Sequence, residues 1–160
     1  MEDHSKMAHA QSMSPYARFA LMIGLSFLAM YVLMYAMVNT FPNAIPNYNQ
    51  FYMAGLMTAP MVVLEMILMG AMYPEKKLNS IIAVIGVGSL IIFWMLIRYQ
   101  VAISDRQFLK SMIPHHAGAI LMCDNTSLSD PEIKQLCSGI VSSQRGEIDF
   151  MKRKLEQMKQ

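Results

Sequence analysis

The run Ser111-Met112-Ile113-Pro114-His115-His116-Ala117-Gly118-Ala119-Ile120-Leu121-Met122 sets two imidazoles between two thioethers. A helix turns about 100° per residue, which places Met112, His115, His116, Ala119 and Met122 within an arc of about 120°. Thioether sulfur selects Cu(I)-like ions, and imidazole nitrogen accepts copper, zinc, iron or nickel. One face carrying both is a seat for a soft cation, Cu(I) first and Ag(I) beside it. Cu(II) would be held through the nitrogens, and zinc rarely takes methionine. Imidazole ligands also predict weaker binding below about pH 6. Each residue has a plainer reading as well: a His-His pair often sits at a surface, and methionine fills irregular cores.

The helix that carries this face starts at Ser104 or Asp105, either of which can cap it, and runs to about Asn125. Its continuity with the apolar run before it is left open. Pro114 removes a backbone donor and so predicts a harmless kink, a kink that re-aims His115 and His116, or a fresh helix start. The stretch Asn125-Thr126-Ser127-Leu128-Ser129-Asp130-Pro131-Glu132 reads as a turn. Ser129 or Asp130 is then the cap of a second helix, with Pro131 its first residue, ending near Glu156. Cys137, Ile140, Val141, Gln144, Ile148, Met151, Leu155 and Met158 form its apolar stripe.

The two helices make an antiparallel hairpin. A turn centred near residue 128 sets residue 115 opposite roughly residues 142–147. Gln144, Glu147 and Met151 thereby come within reach of the His-His segment. Glu147 can orient a histidine N–H, or pair with Arg145, Lys152 or water. Cys123 and Cys137 flank the turn near the inter-helix stripe. In an oxidising compartment they join as a disulfide; two buried thiols and a thiolate ligand pair are the alternatives. A hairpin this small buries little alone, which predicts self-association of two copies into a four-helix bundle.

The run from Asp105 to Ile120, with the later Gln144-x-x-Glu147-Ile148-x-x-Met151, resembles a bacterial family of ferritin-like helical domains long known only as a domain of unknown function. Some members are implicated in copper binding and copper resistance. The resemblance covers about residues 104–158. It implies metal contacts from Met112, His115, His116, Met122 and Met151, with Glu147 and Gln144 as ligands or supporting groups. It also implies half of a ferritin-like bundle, in a membrane-anchored form. Larger members look like tandem copies, whereas one copy here leaves the bundle to a homo-oligomer.

What precedes the hairpin decides where metal is met. The chain has 160 residues, is 54% hydrophobic and holds 18 methionines, and nearly all its charge lies before residue 20 or after residue 97. Three apolar runs lie between, Phe19 to Val38, Phe51 to Tyr73, and about Leu78 to Tyr99. Each reaches the roughly 20 residues that cross a bilayer. Tyr16, Tyr73, Trp94 and Tyr99 lie near run ends, as an interfacial aromatic belt places them. The first run exceeds a signal-peptide core and lacks a small-x-small site, so it reads as a retained anchor. The fold class is therefore all-α, with a tail at 1–15, three spans in 16–103 and a hairpin domain at 104–160.

Lys6 and Arg18 precede the first span, Lys76 and Lys77 lie in the 74–79 connection, and the 39–50 connection carries no charge. By the positive-inside rule the N-terminus is cytoplasmic and the hairpin lies outside, in the periplasm at a bacterial inner membrane. Within the second span Met57, Met61, Glu65 and Met69 recur every four residues. They either pack against lipid and neighbouring helices or relay soft metal. Glu65 is the harder to dismiss, since an ionisable group in a span is costly, and Tyr31, Tyr35 and Thr58 are its expected partners. His4, Met7, His9 and Met13 form a weak metal-binding tail.

No nucleophile–base set, no glycine-rich phosphate loop and no nucleic-acid motif is present, and a net charge of +2 says little about partners. The chain reads as a non-enzyme that sequesters or hands over Cu(I) or Ag(I), although a copper site could oxidise Cu(I). A di-iron ferritin relative would need Glu-x-x-His pairs, and Phe150 stands three residues after Glu147. The remaining alternatives are a membrane interaction module whose methionines only pack, and a metal-dependent redox protein.

Overall fold

Serine, asparagine and aspartate side chains decide where the helices start. In the computed structural model, which describes residues 13–158, Ser14 accepts the Ala17 amide at 3.2 Å and α1 runs Pro15–Leu33. A tighter turn, Met34–Met37, extends it. Asn47 accepts the Gln50 amide at 2.9 Å and opens α2, Tyr48–Leu68. The third helix, α3, spans Lys76–Arg98. Ser104 then caps α4, Asp105–Asn125, and Asp130 caps α5, Pro131–Gln157, by accepting the Glu132 and Ile133 amides. These oxygens satisfy amides that no helical carbonyl can reach. The described residues form no strand.

Pro15–Met37, Tyr48–Leu68 and Lys76–Arg98 are each long and apolar enough to cross a membrane. Only 6% of the apolar window in the first and third, and 33% in the second, is buried within the chain. Three buried helices of a soluble core would show the opposite. The central helix is α2, packed against both α1 and α3. Its contact with α3 uses small residues: Gly55 lies under the Phe93 ring, where even a methyl group would overlap, and Gly86 faces Val62 and Val63. Close backbone approach of this kind is how apolar helices associate without a hydrophobic drive between them.

The second apolar helix ends earlier than its composition suggests. Beyond Leu68 the backbone leaves the α-helix for a short turn at Gly70–Met72. Asn79 holds that turn by donating to the Gly70 and Tyr73 carbonyls. Met69 and Met72 thus fall outside the helix, and the four-residue methionine stripe stops at Glu65. The partner of Glu65 is Tyr73, whose hydroxyl donates to Oε1 at 2.8 Å. The expected partners are elsewhere: Tyr35 donates to the Ile45 carbonyl, Thr58 to the Ala54 carbonyl, and Tyr31 stacks edge-on against Tyr35.

The third apolar helix, α3, and α4 are not one helix. Residues 99–104 turn the chain, with Gln100 and Ala102 at φ of 49° and 58°, a left-handed conformation uncommon for non-glycine residues. The turn lays α4 across the 34–50 segment. Gln107 Oε1 accepts the Tyr48 amide, Asn49 donates to Ser111 Oγ, and Tyr52 donates to the Val101 carbonyl. Pro114 neither breaks nor restarts α4, which is helical throughout.

The hairpin core consists of Ile113, Ala117 and Ile120 from α4 and Ile148, Met151 and Leu155 from α5. Val38 and Ile45 close it from the connection between the first two helices. Gly118 sits beside the Met37 carbonyl in the same junction. A two-helix unit too small to bury a core alone is thereby completed by residues from the connection between α1 and α2, far earlier in the chain.

Candidate metal centre

The helical register of α4 divides its soft donors between two surroundings. Ile113, Ala117 and Ile120 face α5 and are buried. Met112 lies at the edge of that cluster, half-buried. His115 is exposed, and Met122 is 54% exposed. Met112 and His115 are three residues apart, a spacing at which two side chains share one ion. Met122 is two turns beyond His115, about 10 Å along the axis, so the two do not close on one ion along a straight helix.

His116 is buried and fully engaged. Its Nδ1 lies 2.8 Å from the Met112 carbonyl, which only accepts, so Nδ1 carries a proton. Its Nε2 lies 2.7 Å from Glu147 Oε2. The Ser143 hydroxyl, donating to Glu147 Oε1 at 2.7 Å, and then the His116 bond hold the Glu147 carboxyl below its ordinary value of 4.5, against a smaller opposing effect of desolvation. Both ring nitrogens of His116 are thus engaged, one by the Met112 carbonyl and the other by Glu147, and it becomes a ligand only by giving up one of these contacts.

Glu147 thus pairs with His116 in place of Arg145 or Lys152. Arg145 bonds Asp124 on the other side of the hairpin, at 3.3 Å. Gln144 lies half-buried one turn before Ile148. Met151 is in the core and 6% exposed, packed with Ile113, Ile148 and Leu155. Cys123 and Cys137 are joined as a disulfide, with Cα atoms 5.4 Å apart. Among the described residues, no three His, Cys, Asp or Glu side chains gather into a metal site.

Of the other candidates, Met57 is exposed and Met61 half-buried on α2, and Met69, just past its end, is exposed. Glu65 instead lines a cavity of about 490 Å³ with Met13, Arg18, Met22, Met72 and Tyr73. His4, Met7 and His9 lie outside the described residues.

Sequence reasoning missed two features. One is Ser143, whose hydroxyl anchors Glu147. The other is a second stripe on α5, sharing only Ile140 with the first: Ile133, Leu136, Ile140, Ser143, Glu147 and Phe150, alternating spacings of three and four. Ile133, Leu136 and Phe150 are 47%, 62% and 57% exposed. On α4, Phe108, Met112, His115, Ala119 and Met122 repeat the same spacing. Such a three–four alternation is the seam of helices that pack side by side.

The Glu147 arrangement carries a pH prediction. A carboxyl whose folded pKa is depressed stabilises the fold above its ordinary pKa, and that stability is lost as pH falls through the folded value. Wild type is therefore expected to melt at a higher temperature than Glu147→Gln at neutral pH, with the gap closing below pH 4.5. Thermal unfolding of both proteins across the acid range checks this. A gap independent of pH would remove the charged pair from the account.

Comparison with known proteins places this geometry in a family. Residues 65–155 match the family described as a domain of unknown function, DUF305, and the chain belongs to it. The match begins at Glu65, so it takes in α3 as well as the hairpin. The chain is also 37% identical over 145 residues to an uncharacterized protein of Acanthamoeba polyphaga mimivirus, covering 87% of this chain and 91% of that one. The likeness therefore includes the apolar helices. No solved structure matches.

Proposed function

We propose that the protein is a membrane-anchored binder of Cu(I) or Ag(I), which it sequesters or hands over in metal tolerance or trafficking. The observation that carries this reading is the exposed stripe of α4. His115 stands on it beside Met112 and Met122, flanked by apolar residues rather than by solvating charge. Neutral nitrogen with thioether sulfur is the donor set of a monovalent soft cation. The ion is cargo. Met112 and His115 of one copy give two ligands, and Met122 of a second, antiparallel copy supplies another. The matching stripes of α4 and α5 then bury each other as a ferritin-like four-helix bundle. Glu147 and His116 support the site through their hydrogen bond, which holds the His116 ring in place.

The Cys123–Cys137 bond supports a hairpin on the non-cytosolic side of a bacterial inner membrane, with the N-terminus inside. No reaction is assigned to the site. One observation favours a second reading, an assembly module whose methionines only pack: Met151 is core, and Met112 packs against it.

Titration of the full-length protein in detergent with Cu(I), against a competing chelator, separates the two. His115→Ala is expected to lower affinity by about a hundredfold or more, and His116→Ala by about tenfold, as losing a supporting residue does. Met112→Leu keeps the packing and should follow His115→Ala. Equal affinity in wild type and all three variants leaves the packing reading standing and ends the metal one.

A further inference from the structure

Two cavities meet where the hairpin joins the apolar helices. One, of about 440 Å³, has Ile45 and Leu155 in its wall and carries Arg106, Lys110, Lys152 and one acid, Glu156. The other, of about 500 Å³, is walled by Tyr31 from α1 and by Tyr48, Phe51 and Tyr52 from α2. Lys110 lines both. The chain fixes their level: Gln107, next to Arg106, accepts the amide of Tyr48, the first residue of α2. Since α5 runs antiparallel to α4, its last turns return Lys152 and Leu155 to the same depth. The basic pocket therefore sits at the end of the membrane-crossing helices, and the aromatic groove leads from it along them.

Three cations against one acid leave a local excess of positive charge. Lys110 and Lys152 are half-buried, and none of the three cations forms a salt bridge among the described residues. Ammonium groups partly withdrawn from water are best compensated by an anion. Aromatic side chains at span ends sit at headgroup level, and basic pockets beside membrane helices take phosphate headgroups.

We infer that this junction binds an anionic phospholipid. Arg106, Lys110 and Lys152 hold the phosphate, and an acyl chain lies along Tyr31 and Phe51. The inference rests on the membrane-spanning part of the proposed function and not on its metal chemistry. A bound lipid ties together α4, α5 and the 39–47 connection, the segments that close the hairpin core.

The test uses full-length protein in detergent, titrated separately with phosphatidylglycerol, phosphatidylcholine and glycerol phosphate. Native mass spectrometry reads retained lipid, and thermal unfolding reads stabilisation. Wild type is expected to bind phosphatidylglycerol about tenfold more tightly than phosphatidylcholine. Arg106→Gln/Lys110→Gln/Lys152→Gln should reduce that preference to within about twofold, while Lys77→Gln/Lys134→Gln keeps it. Should the triple variant not fold, Lys110→Gln alone must weaken the preference. Equal binding of the two lipids, or a preference that survives the pocket substitutions, overturns the inference. So does glycerol phosphate competing as well as the whole lipid, which would mark a free-phosphate site. Release of the protein from membranes by alkaline carbonate would instead overturn the membrane-spanning reading, and is scored separately.

Discussion

Met151→Ala is expected to destabilise the full-length protein by about 2–5 kcal/mol, whereas Met151→Leu should cost less than about 1.5 kcal/mol. The reason is position. Met151 is 6% exposed and packs among Ile113, Ala117, Ile120, Ile148 and Leu155. Truncation to alanine leaves a void lined by residues that α4, α5 and the 34–47 segment hold fixed from three sides, so the site cannot collapse to fill it. Leucine restores most of the volume without the sulfur. Denaturant unfolding in detergent measures the first effect, and Cu(I) titration of the leucine variant measures the second property at issue. Family resemblance implies Met151 as a ligand; its burial makes it a packing residue whose sulfur faces neighbours rather than solvent. If Met151→Leu leaves stability intact but lowers Cu(I) affinity as much as His115→Ala does, the thioether reaches the ion and the core opens on binding.

What the sequence made legible was whatever is decided locally. Ser104, Asp130 and Pro131 carry the start of each hairpin helix in a few residues, because a cap needs only its own side chain and the next two amides. The turn length then set the register closely enough to bring Glu147 within reach of the His-His segment, where its hydrogen bond to His116 is 2.7 Å. The same register set Cys123 near Cys137 but left disulfide, free thiols and a thiolate pair open; the structure joins them. Contacts that depend on the path of the chain were not legible. Nothing in the apolar run from Phe51 to Tyr73 announces that the helix stops at Leu68, because the stop is made by Asn79 bonding back across a turn. Tyr73 as the partner of Glu65 follows from that turn and from nothing nearer. Likewise Val38 and Ile45 look like the flank of a loop, yet they cover the hairpin core. At the site, an arc of about 120° is wide enough to straddle two environments. Met112, His115, His116 and Met122 share it, but one edge of the arc meets α5 and the other is exposed. Angular counting alone does not tell which histidine is clamped and which is free to bind.

Opening the Cys123–Cys137 bond is expected to lower the stability of the hairpin by about 3 kcal/mol, the chain-entropy value for a loop of about 15 residues. The bond closes a separation of 14 residues around the turn that joins α4 to α5. Away from the turn the helices are held by the apolar core and the His116–Glu147 pair, while the exposed Asp124–Arg145 salt bridge contributes little. Reduction should therefore fray the turn end first, and thermal unfolding with and without reductant, together with Cys123→Ser/Cys137→Ser, measures the loss. The same chemistry tests the side of the membrane. A thiol reagent should fail to label either cysteine in protein taken directly from cells, and should label both after reduction, because a disulfide of this kind persists only where thiols are not kept reduced. Two free thiols in native protein, with stability unchanged by reductant, would return the hairpin to a reducing compartment. The register of His116 and Glu147 would then rest on the apolar core alone, and a soft cation would reach His115 from the cytosolic side.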